Sequence, residues 1–387
     1  MLIPPLPIET GPWMLDPEIT YLNHGSFGAR TCHVHQAQQQ FKLEFETSPI
    51  QFLDRSRKKL IGDARNVVSE FLGADPDGFG FVDNATTGVG CVVHSLDFDS
   101  GDEILTTNHV YNGVRRLLSH HATRVGCSYR ELEINLPVQN ASEILSTIVN
   151  SFTAATKLLV VDHVASITSM IFPVAEIVNE CNKRGISVLV DGAHVPGMLE
   201  LDIDSIQADW YVGNLHKWVC APVGAGFVWT NKTHRLRMHP LTVSHFLDTT
   251  YTAEFDWQGT KDISPWLAAA TAIKWGEEIG WERIRSHNHQ MAMWMHQKLI
   301  EALNVEPLTP LDGSLNGSMV SVQLPDCFPN TYEECDSLRD EIYTKFNIEV
   351  PVLEFSNRGL IRVSAQLYTQ KGDIGQMIKV LLSMLPN

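Results

Sequence analysis

Trp210-Tyr211-Val212-Gly213-Asn214-Leu215-His216-Lys217-Trp218-Val219-Cys220-Ala221-Pro222-Val223-Gly224-Ala225-Gly226 is an apolar run that contains a single lysine and no other permanently charged side chain. A lysine in such a run is poorly solvated. Burying an ammonium without a partner is costly enough that the group gives up its proton, and a neutral amine in a dry pocket is a nucleophile suited to Schiff-base formation. The competing reading puts Lys217 at a strand end with its head in water. The sequence on either side decides between them.

Upstream, helical and extended patterns alternate. The spacing of Leu60, Ala64, Val67, Val68, Phe71 and Leu72 predicts a helix over 57–72, followed by a strand at 79–82, a helix over 87–96 and a strand at 103–107. Strands at 157–162, 186–191, 210–212 and 226–229, with a helix over 174–183, continue the pattern. This predicts an α/β fold in which helices cover both faces of a mostly parallel sheet and ligands bind beyond the strand C-termini. After residue 260 the texture changes. A long helical region at 265–303, interruptible at Gly280, precedes strands at 319–324 and 360–364 and helices at 333–346 and 373–385. We therefore expect a large domain over 20–260 and a smaller α+β domain from 1–19 and 261–387. A chain of 387 residues accommodates two or three domains at about 150 residues each.

The bulk numbers narrow the function. A formal net charge of -16 disfavours binding to nucleic acid or to anionic membranes, which leaves a small molecule or another copy of the chain as partner. Seven scattered cysteines without a C-x-x-C pair argue against a disulfide framework and a structural zinc site, and no metal is expected. The N-terminus lacks a basic signal region and no apolar stretch is long enough to span a bilayer, so cytoplasmic localisation is expected.

Three strand ends carry the chemistry. Val188-Leu189-Val190-Asp191 ends in a carboxylate that burial would force to find a partner; a pyridinium N–H suits it, and a helix cap is the alternative. Asp83-Asn84-Ala85-Thr86-Thr87-Gly88 follows a strand and opens a helix, which presents amides and hydroxyls to a phosphate or merely caps the helix. Arg362 ends the apolar stretch Leu360-Ile361-Arg362, where its fork suits a carboxylate.

Together with Tyr21-Leu22-Asn23-His24-Gly25-Ser26-Phe27-Gly28, Asp191-Gly192-Ala193-His194 and Asn214-Leu215-His216-Lys217-Trp218, these segments resemble the class V aminotransferase family of pyridoxal 5'-phosphate enzymes, in its isopenicillin N epimerase-like branch. The resemblance spans nearly the whole chain. It implies fold type I, with a large domain built on a mostly parallel, seven-stranded type of sheet. It also implies that Lys217 is the Schiff-base lysine and Asp191 the partner of the ring nitrogen. Thr86, Thr87, Asn214 and His216 would hold the phosphate, and Ser166 and His194 would lie near the ring hydroxyl. His109 matches the family's ring-stacking position, with Tyr111 close enough to take that role. Asn23, His24, Arg55 and Arg362 would line the substrate, Arg362 binding its carboxylate. Thr260 resembles the segment that reaches a neighbouring subunit's phosphate, so a homodimer is implied.

With an amino acid or amino-acid-containing peptide bound, Lys217 is placed to remove the Cα proton. Return of a proton on the other face, by His109 or Tyr111, makes an epimerase, which the resemblance favours. The alternatives are a C–S lyase such as the hercynylcysteine sulfoxide lyases, an aminotransferase, or a protein that binds the cofactor without turnover. Glu354-Phe355-Ser356-Asn357-Arg358-Gly359 has no cysteine where the family's desulfurases carry their nucleophile, which disfavours persulfide transfer.

Overall fold

The computed structural model describes Ile8 and residues 11–386, so the expectation for residues 1–19 lies partly outside the described residues. The strands are β1 Thr20–Tyr21, β2 Phe79–Val82, β3 Glu103–Thr107, β4 Ser128–Leu132, β5 Thr156–Asp162, β6 Ser187–Asp191, β7 Trp210–Asn214, β8 Gly226–Thr230, β9 Met319–Gln323, β10 Ile348–Glu349, β11 Val352–Phe355 and β12 Arg358–Ser364. Among the described residues they form three sheets. The largest runs β2-β8-β7-β6-β5-β3-β4, with β8 antiparallel to both neighbours and the other pairings parallel. It is the mostly parallel α/β sheet that the sequence pattern predicts, with the seven strands that the family resemblance implies.

Why these segments are strands is visible in their burial. Apart from Lys157 and Ser187 near the strand starts, successive residues of β5 to β7 are all buried, as expected for a sheet covered on both sides. Alternation then separates two cores. Leu159, Val161, Val188, Val190 and Tyr211 face the helices Arg57–Leu72, Val174–Asn182 and Ser264–Ile279, whereas Leu158, Val160, Leu189, Trp210 and Val212 face Ala85–His94 and Asn112–Val125. Two residues further along the second set come Asp162, Asp191 and Asn214. The polar strand ends therefore share one face.

The three-stranded sheet β11-β12-β9 packs with helices Trp281–Leu303, Tyr332–Phe346 and Lys371–Ser383 in a core of its own. The long helical region does break at Gly280, whose φ of 97° ends one helix and starts the next. Its first half, through Trp266, Ala269, Ala272 and Ile273, belongs to the large-sheet core. The chain start crosses to the small sheet's side: β1 pairs with β10 and Leu22 sits in the second core. Helices Cys32–Thr47, Asn112–Val125 and Ala141–Ser151 and strands β4 and β11 lie beyond the elements predicted from sequence.

Gly226 couples fold to site. A Cβ there would meet the Cα, C and N atoms of Asn84 at 2.6, 2.9 and 2.9 Å, so β8 lies directly against the backbone that opens Ala85–His94. Gly226→Ala should lower stability by about 1–3 kcal/mol through overpacking. Gly62→Ala, on a helix where nothing lies within 4 Å, should be neutral or stabilising. Denaturation midpoints of the two variants check the pair; equal effects would contradict the packing argument.

Candidate active site

Lys217 lies just past β7 in a loop closed by bonds from Leu215 N to Ala225 O at 2.9 Å and from Cys220 N to Lys217 O at 3.0 Å. Its Nζ is 3.0 Å from His194 Nε2, and Trp218 Nε1 lies 3.4 Å from His194 Nδ1. An indole N–H can only donate, so Nδ1 is the acceptor and the His194 proton is on Nε2. That proton points at Lys217, which must then accept it as a neutral amine. Burial, followed by the repulsion of Arg362, lowers the Lys217 pKa to about 7, while Asp191 and Asp162 act the other way. The hydrogen-bond geometry calls for the uncharged form, and the lowered pKa makes it accessible near neutral pH.

Asp191 ends β6, buried, with its Oδ1 accepting from Ala193 N at 2.9 Å. Burial raises its pKa against that amide and Lys217. At the start of Ala85–His94, Asn84 Oδ1 accepts from Thr87 N and Thr87 Oγ1, and Asn214 Oδ1 accepts from Ala85 N at 2.8 Å. The Thr86 amide and hydroxyl have no partner among the described residues, and they are the free donors of that turn. Asn214 thus braces the helix start. His216 Nδ1 donates to Ala225 O at 3.3 Å, and burial lowers its pKa to about 4.

Arg362 is 3% exposed and makes no ion pair among the described residues. One arm donates to Ser166 O at 2.6 Å and Ser166 Oγ at 3.2 Å, the other to Ser26 Oγ at 2.8 Å and Asn23 Oδ1 at 3.4 Å, while Nε is buried without a partner. Burial lowers its pKa to about 10. Ser166 therefore contacts the arginine, as does Asn23, which also donates to Glu349 at 2.8 Å. The phenol of Tyr111 is near enough to Arg362 to act on its charge, and Tyr111 is 47% exposed.

Three expected placements change. His24 does not border an open substrate pocket: it is fully buried, with Nε2 donating to Lys217 O at 3.1 Å and Nδ1 accepting from Tyr368 OH at 3.0 Å. It supports the lysine loop from behind. His109 is also sealed, with Nε2 donating to Ile134 O at 3.0 Å and Nδ1 accepting from Thr168 Oγ1 at 2.7 Å; burial drops its pKa to about 4. Arg55 is exposed and bonds to none of this group in the single chain, and Thr260 is likewise exposed.

Four further residues join the cluster. Ser26, Gln366 and Tyr368 gave no signal beyond lying in or beside quoted segments, whereas Asp162 ends an apolar strand just as Asp191 does. Gly28 explains part of the N-terminal segment: its φ is 75° and a Cβ would lie 2.1 Å from His216 O, so only glycine lets this segment close on the Lys217 loop. Cys220, beside His24 and Gln366, has its thiol pushed up by burial. In the β11–β12 hairpin, Ser356 and Asn357 both take left-handed conformations in a two-residue turn, with no thiol.

These residues fit a pyridine-aldehyde cofactor: a neutral buried amine, a buried carboxylate short of donors, and an unfilled helix start. The family model for class V aminotransferases matches residues 31–376. The isopenicillin N epimerase of Streptomyces clavuligerus is 30% identical, covering 96% of this chain and 96% of its own. A probable chloroplastic L-cysteine desulfhydrase of Arabidopsis thaliana is 29% identical over 92% of this chain and 81% of its own. Among solved structures, the cystine C–S lyase C-DES in complex with cysteine persulfide superposes with a TM-score of 0.81 at 21% identity, covering 96% of this chain and 99% of that one. The fold, the strand-end chemistry and the length of the match agree, and the chain belongs to the class V aminotransferase family.

Proposed function

We propose that this pyridoxal 5'-phosphate enzyme removes the Cα proton of an amino acid or amino-acid-containing peptide and returns a proton to the opposite face, as an epimerase. The observation that carries the reading is the pair Lys217 and Arg362, two bases close enough to repel, Lys217 half-buried and Arg362 buried without an acidic partner among the described residues. A substrate carboxylate satisfies Arg362, including its free Nε. The cofactor, when bound, supplies an aldehyde for the Lys217 amine and an electron-accepting ring for charge that develops at Cα.

The chain's own groups do the rest. Thr86 offers its amide and hydroxyl to the phosphate, and Thr87 and Asn214 fix the helix turn that presents them. Asp191 holds the ring nitrogen, His194 donates to whatever lone pair replaces that of Lys217, and His24 fixes the lysine loop. Lys217, as a free amine, takes the Cα proton. On the far side Tyr111 is the acid that remains, because both nitrogens of His109 are committed within the core.

A division into a large and a smaller body belongs to the same proposal, with the helix Ser264–Ile279 kept in the core of the large one and Leu22 in that of the small one, as do a cytoplasmic setting and a homodimer. Exposed Leu236, Leu241, Val243 and Leu247, shortly before Thr260, support a second copy covering that surface. Among the described residues no helix is long and apolar enough to cross a membrane.

A second reading, elimination across a C–S bond, is favoured by the desulfhydrase relative at 29% identity. It uses the same Lys217 and Arg362, with Tyr111 protonating the departing sulfur. Incubation in deuterated water separates the two. Inversion with deuterium at Cα and no pyruvate supports the epimerase; pyruvate and sulfide without inversion replace it with the lyase.

Two further outcomes are expected. The amine is the reactive form, so capture of pyridoxal phosphate by cofactor-free protein should speed up as pH rises and level off above about 7, where Lys217 has lost its proton. Stopped-flow absorbance reads it, and a midpoint near that of free lysine, about 10.4, contradicts the buried-amine argument. Arg362→Lys keeps a charge but loses the fork. It should raise KM at least tenfold while leaving the cofactor spectrum intact, and an unchanged KM removes Arg362 from substrate binding.

A further inference from the structure

Two carboxyl groups stand side by side at the ends of β5 and β6. Asp162 and Asp191 are register partners on parallel strands, so their side chains leave the same face of the sheet. Adjacent strands lie about 4.8 Å apart, and both groups are buried. Their surroundings differ. Asp191 has the Ala193 amide and the Coulombic reach of Lys217. Asp162 Oδ2 is buried without any hydrogen-bond partner among the described residues, and the amides nearest its carboxyl are its own and that of Tyr111.

The charged groups around Asp162 are few. Asp191 faces it from β6, Arg115 from the helix Asn112–Val125, and Lys217 from the loop beyond β7. Arg115 is engaged elsewhere, with its Nε on Glu131 at 3.0 and 3.1 Å and an arm on Asn108 O at 2.9 Å. Two carboxylates this close in a dry site do not both ionise, and the proton stays with the one that has fewer donors.

We propose that Asp162 and Asp191 form a pair carrying one negative charge, in which Asp162 keeps the proton and acts as a positioning residue for the charge balance around Lys217. An ionised Asp162 would add a second anion that stabilises the Lys217 ammonium. A protonated Asp162 leaves Asp191 as the single anion, matched to a single pyridinium N–H, and leaves Lys217 free to be an amine. The role of that N–H rests on the cofactor reading above; the carboxyl pair does not.

Infrared spectroscopy of the purified full-length protein at pH 7, with and without added cofactor, tests the pair directly, since a protonated carboxyl absorbs apart from carboxylates and shifts on exchange into deuterated water. Asp204, Asp256 and Asp373 are also held above the usual carboxylate range, so the readout is the native-minus-variant difference. Asp162→Asn should remove one protonated-carboxyl band, and Asp191→Asn should not, because burial outweighs the repulsion of Asp191 in holding the Asp162 proton. Cofactor capture at pH 7 gives a second readout: a neutral amide in place of a neutral acid should leave the rate within about twofold of native. Should Asp162→Asn not fold, Asp162→Thr, which keeps a hydroxyl donor, carries the same comparison. No band lost with Asp162→Asn, a band lost with Asp191→Asn instead, or capture accelerated tenfold on neutralising Asp162 would each overturn the proposal. Native protein that captures no cofactor fails the earlier reading and leaves the infrared comparison standing.

Discussion

Burying the Lys217 amine against the His194 ring strips an ammonium of its hydration, and the fold meets that cost by making the charge unnecessary. Trp218 sets the His194 tautomer, His194 then asks Lys217 for a lone pair, and Arg362 opposes any proton added to the amine. Each of these groups is placed by a different part of the chain. His24 and His194 beside Lys217, and His163 beyond β5, are also held uncharged, each chiefly by its own burial.

The large sheet supplies the geometry for this arrangement. Its alternation puts Asp162, Asp191 and Asn214 on one face at the strand C-termini, and β8 presses through Gly226 on the backbone that opens Ala85–His94. The small sheet supplies the opposing wall. Arg362 comes from β12, yet its hydrogen bonds go to Ser166 beyond β5 and to Asn23 and Ser26 near the chain start. The site therefore exists where three separately built pieces meet, and its polarity is satisfied only in the closed assembly.

Much of this was legible in the sequence, for identifiable reasons. Strands and helices with strong periodicity, such as 57–72 and 157–162, fell almost where patterning put them because burial on both faces of a parallel sheet writes continuous apolar runs. Lys217, Asp191 and Arg362 were conspicuous as charges in apolar segments. Side-chain direction was less legible. His24 and His109 read as active-site groups because a histidine beside a motif carries no mark of which way its ring points, and both turned into the core to satisfy carbonyls. Asp162 carried the same apolar-strand signal as Asp191 and needed the register of two strands to gain meaning. Helices Asn112–Val125 and Ala141–Ser151 lie between the prominent motifs and are strongly amphipathic, so their sequence pattern marks them as helices although no motif points to them.

The links that hold Arg362 and His24 also set a timetable. Arg362 reaches Asn23 across 339 residues of sequence and Ser166 across 196, and His24 reaches Tyr368 across 344. Contacts between such distant positions close late in folding, after the locally connected β-α units of the large sheet have formed. Lys217, Asp191, Asn214 and the turn that opens Ala85–His94 lie upstream of residue 231 and leave the ribosome long before β12 does. A chain in the making would thus place Lys217 and the phosphate turn before the wall that lowers the lysine's charge and discriminates substrates. In the finished protein, local opening of the small sheet would forfeit recognition first and cofactor seating last.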